Sequence, residues 1–206
     1  MDLSEQYREA MVEEQIAARG ITDGRILHAF KMVPRHLFIP EVDPFSAYSD
    51  SPLSIGSGQT ISQPYIVAKM CELSDLQGHE RVLEIGTGSG YAAAILSFLA
   101  EEVFTLELLR SLHSRAEKIL KQQECHSVHC IEGNGYEGYE EAAPYDVIFL
   151  SAAPSEVPRK LLQQLKIGGR LVGPIGRGEQ YLVKIQRDKR GFKESRHGAV
   201  RFVPMK

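Results

Sequence analysis

Arg81-Val82-Leu83-Glu84-Ile85-Gly86-Thr87-Gly88-Ser89-Gly90 is the stretch whose reading decides the fold. Residues 81–85 read as a buried strand, and Tyr91 opens an alanine-rich helix over 91–99. Between them Gly86, Gly88 and Gly90 stand at alternate positions. Glycines there let a ligand approach the backbone closely, because no Cβ is in the way. The crevice at the carboxyl ends of parallel strands is where such sheets bind ligands.

Outward from this loop the pattern stays regular. Strands are predicted over 103–106, 128–131, 146–150 and 170–172, with helices over 108–123 and near 158–165 between them. Strands alternating with helices imply parallel β-α-β units with right-handed crossovers. Upstream, a helix is predicted over 66–73. Another covers 4–19, with Tyr7, Met11 and Ile16 as its apolar stripe and Gly20 closing it. A further helix follows Thr22 or Asp23, carries Ile26, Leu27, Phe30 and Val33, and stops at Pro34. Segments 181–186 and 200–203 look like strands with little helix between them, and are expected to add antiparallel edges. The expected fold is therefore α/β: a doubly wound, mostly parallel Rossmann-like sheet with helices on both faces. Residues 1–206 are read as one domain, with N-terminal helices and a loop over 1–65 and the core with its terminal strands over 66–206.

Composition narrows the function. The chain has 206 residues, 43% hydrophobic and 25% charged, with a net charge of −3, so nothing marks it as a nucleic-acid binder. No apolar stretch is long enough to span a membrane. The start, Met1-Asp2-Leu3-Ser4-Glu5-Gln6-Tyr7, is acidic and polar where a secretory leader would be basic and then apolar, so a cytoplasmic location is expected. Cys71, Cys125 and Cys130 are too few for a disulfide framework. Cys125-His126-Ser127-Val128-His129-Cys130 groups metal-ligand types. Neighbouring side chains of a strand point to opposite faces, however, and the usual spacings are missing. A turn running into a strand is expected there, and no metal.

The glycine loop discriminates between cofactors. Dinucleotide folds use G-x-G-x-x-G, but here the third glycine comes one residue early and Tyr91 fills its place. The phosphate-cradling G-x-x-x-x-G-K-[ST] is absent. The tighter spacing resembles motif I of the S-adenosylmethionine-dependent methyltransferases. Glu107, at the end of the second predicted strand, can accept hydrogen bonds from both hydroxyls of a ribose. In Gly133-Asn134-Gly135, the Asn134 amide oxygen could accept from an adenine amino group, or Asn134 could simply serve a turn.

Residues 34–64 are different again, with Pro34, Pro40, Pro44, Pro52 and Pro64 punctuating a long irregular segment. Loops of that length are usually functional. The segment contains Val33-Pro34-Arg35-His36-Leu37-Phe38-Ile39-Pro40, then Ala47-Tyr48-Ser49-Asp50-Ser51-Pro52-Leu53, then Gly58-Gln59-Thr60-Ile61-Ser62-Gln63-Pro64. These runs strongly resemble the protein-L-isoaspartate (D-aspartate) O-methyltransferases. The resemblance continues from Met11-Val12-Glu13-Glu14-Gln15-Ile16 through Ala143-Pro144-Tyr145-Asp146 and Gly168-Gly169-Arg170-Leu171 to Arg201-Phe202-Val203-Pro204. It implies repair of damaged proteins: the side-path carboxylate of L-isoaspartyl residues, and of some D-aspartyl ones, is methylated by S-adenosylmethionine, leaving S-adenosylhomocysteine. The ester then collapses to a succinimide away from the enzyme. The partners implied are damaged proteins and peptides, with no nucleic acid or membrane, and a monomer is expected.

By the same resemblance Ser62 is the active-site residue, and Thr60 with Ser62 meets the substrate. The cofactor is assigned to Ile61, Ser62, Glu84, Gly86, Gly88 and Ser89, together with Gly90, Glu107, Leu108, Asn134 and Gly135. The sequence departs from the family where Asn134 stands for the commoner aspartate and around Leu106-Glu107-Leu108. It also ends at Met205-Lys206, where relatives often continue, so contacts from a longer tail are not expected.

A substrate carboxylate is already ionised near neutral pH, so no strong base is needed. Alignment should dominate catalysis. Ser62 is expected to orient the carboxylate through its hydroxyl, unless that hydroxyl only fixes a turn. Glu84 either positions the glycine loop or plays a purely structural part. Arg35 and His36 are read as surface packing, and Lys189, Arg190 and Lys193 as a solvated charged turn. The competing readings are a methyltransferase with another acceptor and a decayed module that binds cofactor without turnover.

Overall fold

The chain begins with helix α1 (Leu3–Ala10), which runs on through a π-helical turn (Met11–Ile16) and a 3-10 turn (Ala17–Arg19) in the computed structural model, where residues 2–206 are described. Met11, Val12 and Ile16 are buried, and Gly20 takes φ +95° to end the run, a conformation that costs other residues a Cβ clash. Helix α2 (Gly24–Met32) starts at Asp23, whose carboxylate accepts the Arg25 N–H. A 3-10 turn (Arg35–Phe38) and the short helix α3 (Pro44–Ala47) follow. Next comes a hairpin of β1 (Leu53–Gly56) and β2 (Gln59–Ile61). Both of its turn residues, Ser57 and Gly58, have positive φ (53° and 70°), as a tight turn between twisted strands requires. The segment read as irregular thus holds a defined hairpin, too short to show periodicity between its prolines.

Helix α4 (Pro64–Ser74) leads into the main sheet: β3 (Arg81–Ile85), α5 (Tyr91–Ser97), β4 (Glu102–Glu107), α6 (Arg110–Gln122), β5 (Val128–Glu132), β6 (Tyr145–Leu150), α7 (Arg159–Gln163) and β7 (Leu165–Ile175). These five strands are parallel, in the order β5-β4-β3-β6-β7. The chain runs outward from β3 in one direction and then returns to build in the other. The crevice between β3 and its neighbours is therefore a topological switch point. Strands β8 (Gln180–Asp188) and β9 (Gly191–Val200) add an antiparallel hairpin at the edge.

Here the sequence reading needs correction. The last strand is β9, ending at Val200, and not a strand over 200–203. Strand β9 is exposed along nearly its whole length and carries Lys193, Glu194, Arg196 and His197, so it lacks the apolar alternation that marks a half-buried strand. Residues 201–203 leave the sheet, and Pro204 pairs with Ala153 in an isolated parallel bridge. Strand β7 also extends well beyond the predicted 170–172.

The two faces of the sheet are filled unequally. Val82, Val103, Val147 and Val172 face a core built with α2, α4, α5 and α6. Leu83, Ile85, Leu106 and Ile148 face the other way, toward Leu161 of α7, Tyr136, Tyr139 and Met205. Adjacent strand residues alternate between these cores, as period-2 geometry demands. Strands β6 and β7 pack closely at Gly173, where an added Cβ would lie 2.4 Å from the Leu150 Cβ and 2.9 Å from its carbonyl oxygen. Gly173→Ala should therefore destabilise the chain by about 1–3 kcal/mol. Urea unfolding should show a lower midpoint with an unchanged slope.

Candidate functional site

The glycine loop is folded back onto its own strands. The N–H groups of Gly86 and Thr87 both donate to the Leu106 carbonyl (2.8 and 3.1 Å), and that of Gly90 donates to Thr87 (2.8 Å). The Gly88 N–H donates to Oε2 of Glu107 (2.9 Å). Four of the loop's five amide donors are thus taken up within the chain. A pyrophosphate site needs such donors free and pointing at the ligand. What the loop presents instead is close backbone with acids beside it, which suits a ligand carrying positive charge. Gly86, Gly88 and Gly90 all have positive φ (92°, 56° and 88°), and at Gly90 a Cβ would come within 3.2 Å of Leu120. This last glycine serves the packing of α5 on α6.

Glu107 is nearly buried at the end of β4, and its Oε1 accepts the Leu109 N–H (2.9 Å). Each carboxylate oxygen keeps a second acceptor position, the complement of two neighbouring hydroxyls. Glu107 lines a cleft of about 550 Å³ together with Ile85, Gly86, Gly88, Leu106, Leu108 and Gly135. Leu108 is 44% exposed at its lip, an apolar surface for a flat ring. Gly135 has no room for a side chain: a Cβ there would lie 2.3 Å from Ile85 and 2.9 Å from Met205. Asn134 does not line the cleft. It sits exposed on the rim, and its Oδ1 accepts the Tyr136 N–H (2.9 Å), so it closes a turn.

Glu84 is fully buried one strand position before the loop's edge. Thr105 and Ser151 donate their hydroxyls to its two oxygens, each at 2.7 Å, and the Thr105 hydroxyl also meets that of Thr87 (2.6 Å). Desolvation pushes its carboxyl up to about 7 against the pull of the two hydroxyls, with nearby Glu107 adding repulsion.

The β1–β2 hairpin supplies the opposite wall. Thr60, Ile61 and Ser62 face a small inner chamber shared with Glu84, Gly86, Thr87, Gly88, Ser89 and Tyr91. Thr60 and Ser62 also border an outer groove of about 880 Å³. The far side of that groove is formed by residues 199–202, with Pro52, Gln63 and Ile66 beside the hairpin. Ser62 thus stands between the glycine loop and a surface open to a large partner, and among the described residues its hydroxyl makes no hydrogen bond to the chain. Of the site residues expected from the sequence, Asn134 and Gly90 fall outside the cleft and chamber linings, Gly90 closing the turn beneath them.

Several contributors were not foreseen. Val203, Pro204, Met205 and Lys206 line the cleft. They are held by hydrogen bonds from Ala153 N–H to the Val203 carbonyl (2.9 Å) and from Met205 N–H to the Ala153 carbonyl (2.8 Å). These residues therefore form part of the cleft wall. Gln180 grips Phe202 at both ends of its backbone, donating to the carbonyl (3.1 Å) and accepting from the N–H (2.6 Å), which shapes the groove's far wall. Arg35 is not a surface residue. It is fully buried, donates from Nε to the Ala47 carbonyl (2.8 Å), and sets its guanidinium carbon 5.0 Å from the centre of the Tyr91 ring. Burial lowers its pKa to about 10. It props the aromatic wall of the inner chamber. His36 pairs through Nδ1 with the Tyr48 hydroxyl at 2.8 Å.

Residues 5–206 match the family model described as Protein-L-isoaspartate(D-aspartate) O-methyltransferase. The chain is 51% identical to Protein-L-isoaspartate O-methyltransferase 2 of Shewanella sediminis (strain HAW-EB3), over 98% of this chain and 85% of that one. It is 47% identical to the Protein-L-isoaspartate O-methyltransferase of Syntrophus aciditrophicus (strain SB), over 100% and 96%. Among solved structures, a protein-L-isoaspartate O-methyltransferase superposes with a TM-score of 0.88 at 32% identity, covering 96% of this chain, which spans 65% of that longer one. A Plasmodium falciparum protein, taken for a protein-L-isoaspartate O-methyltransferase and in complex with S-adenosyl-L-homocysteine, superposes with a TM-score of 0.84 at 26% identity, covering 97% and 98%.

The raised pKa of Glu84 sets a pH dependence of stability. The folded chain holds this proton more tightly than the unfolded chain, so stability should fall as pH rises from the ordinary 4.5 through about 7. Urea unfolding at about pH 5 and about pH 8 should show that loss, on the order of 1–3 kcal/mol, in the wild type. It should be largely missing in Glu84→Gln, which stays neutral throughout.

Proposed function

The chain belongs to the protein-L-isoaspartate(D-aspartate) O-methyltransferase family, and we propose that it works as a protein-repair enzyme, moving a methyl group from S-adenosylmethionine to the free carboxylate of L-isoaspartyl residues. The observation that carries this reading is the position of Ser62, shared between the glycine-loop chamber and the outer groove. Residues 1–65 then supply the hairpin wall shared by both compartments, and residues 66–206 supply the glycine loop and, through 199–202, the far wall of the acceptor groove, within one domain. A tight hairpin holds the two together.

The residues present fit the cofactor. Glu107 would hold the two ribose hydroxyls, Leu108 and Gly135 would flank the base, and Ile61, Ser62, Gly86, Gly88 and Ser89 would border the reacting end, above buried Glu84. Gly90 shapes the loop from below, and Asn134 closes the turn at the rim. When bound, the cofactor supplies a methyl group on a positively charged sulfur. Ser62 then has one task, to donate a hydrogen bond that holds the acceptor carboxylate in line, with Thr60 beside it. An arginine in that place would stabilise the ionised carboxylate most before reaction, when its charge is greatest, and so hold it back. A hydroxyl positions the group at smaller cost. No general base is required of the chain.

The partners under this reading are damaged polypeptides, able to enter a groove that is open along one side. The chain is taken as a cytoplasmic monomer acting on neither nucleic acid nor membrane. Among the described residues no helix is long and apolar enough to cross a membrane.

The deciding experiment is methyl transfer to an isoaspartyl peptide compared with its normal aspartyl twin. Transfer should be confined to the isoaspartyl member, and equal labelling of both would remove the proposed acceptor. In Ser62→Ala, turnover should drop about tenfold with donor binding nearly intact, the usual worth of one hydrogen bond to a charged group. Glu107→Gln should do the reverse. Calorimetry should find donor affinity about tenfold weaker, because one carboxylate oxygen is replaced by a donor facing the Gly88 or Leu109 N–H.

A further inference from the structure

The outer groove is not electrically neutral. Its hairpin side presents Pro52, Thr60, Ser62, Gln63 and Ile66, none of them charged. Its far side carries one charge, Arg201, which is exposed. Among the described residues Arg201 has no ion-pair partner, whereas Arg196, further along the same segment, is bound to Glu194 at 3.2 Å. The Gln180 clamp on Phe202 fixes the backbone immediately after Arg201, so the guanidinium stem starts from a rigid wall. Behind it the β8–β9 hairpin adds to the field. Residues 180–201 contain seven lysines and arginines (Lys184, Arg187, Lys189, Arg190, Lys193, Arg196, Arg201) against two acids (Asp188, Glu194), in a chain whose net charge is −3. The charged turn at Lys189 and Arg190 is solvated, yet it belongs to a positive edge that ends in the groove.

We infer that Arg201 is a specificity-determining residue, which favours isoaspartyl substrates with an acidic side chain next to the damaged residue. This rests on the acceptor assignment above. A polypeptide whose isoaspartyl carboxylate reaches Ser62 must leave the chamber through the outer groove, and its neighbouring side chains pass the wall that carries Arg201. An aspartate or glutamate there meets an unpaired guanidinium, while a lysine or arginine is repelled. The groove is open to water, so the effect is modest and falls with salt. Arg201 acts on substrate choice and not on the methyl transfer itself.

The test uses the full chain and two isoaspartyl peptides that differ only in flanking residues, acidic in one and lysine in the other. The readout is the ratio of their kcat/KM values, which cancels any loss common to both. In the wild type the ratio should favour the acidic peptide by roughly three- to fivefold at low salt and shrink toward one at high salt. Arg201→Lys should keep the preference, Arg201→Ala should abolish it, and Arg201→Glu should invert it. A ratio that is the same in wild type and Arg201→Glu, or a wild-type preference for the lysine peptide, overturns the inference while leaving the acceptor assignment standing. If the wild type methylates neither peptide, the acceptor assignment fails and this inference with it.

Discussion

The carboxylate of Glu107 is the point on which the site depends. It closes β4 by accepting the Leu109 N–H, and it draws the Gly88 N–H across from the neighbouring strand. With the Leu106 carbonyl holding Gly86 and Thr87, the glycine loop has almost no donors left to offer an anion. One acid thus sets the loop's shape and the chemical character of what the loop can hold. A sheet of the same order with its loop amides pointing outward would suit a phosphate. This one suits a ligand bearing hydroxyls and positive charge.

The other half of the site is an addition to that sheet. Prolines and a two-residue turn make β1 and β2 into a short, stiff partition with the glycine-loop chamber on one side and the open groove on the other. Its anchoring is distributed. Arg19 pairs with Asp50 (2.9 Å) and lies over the Tyr65 ring (3.5 Å), Gln15 donates to the Tyr48 carbonyl (2.9 Å), and Arg115 pairs with Glu41 (2.7 Å). Buried Arg35 braces Tyr91 from behind. Under the proposed function, a single hydroxyl on this segment would orient the acceptor because so much of the chain fixes the segment that bears it.

Two buried ionisable side chains, Glu84 and Arg35, lie behind this centre. Glu84 is held between two hydroxyls, and Arg35 makes its one hydrogen bond, from Nε, to a carbonyl. Both are displaced from their ordinary pKa by loss of water. They mark where the interior is shaped for polar work.

The sequence by itself determined the alternating β-α-β core, because 81–85, 103–106 and 146–150 carry buried-strand patterns that need no partner to be read. It also pointed to Glu107 and the glycine loop, which line the cleft, from local spacing at a strand end. Ser62 came from resemblance, since an isolated serine in a proline-rich run has no periodicity to mark it. Only the tertiary structure decided that β9 ends at Val200, because an exposed edge strand loses the apolar alternation that burial imposes. Only it brought Met205, Gln180 and Arg201 to the cleft and groove, and showed Arg35 to be interior and Asn134 to be a turn residue. The physical reason is common to all of these. A local pattern records which way a residue faces within its own element, whereas a site is made where elements distant in the chain meet, and that meeting is set by packing.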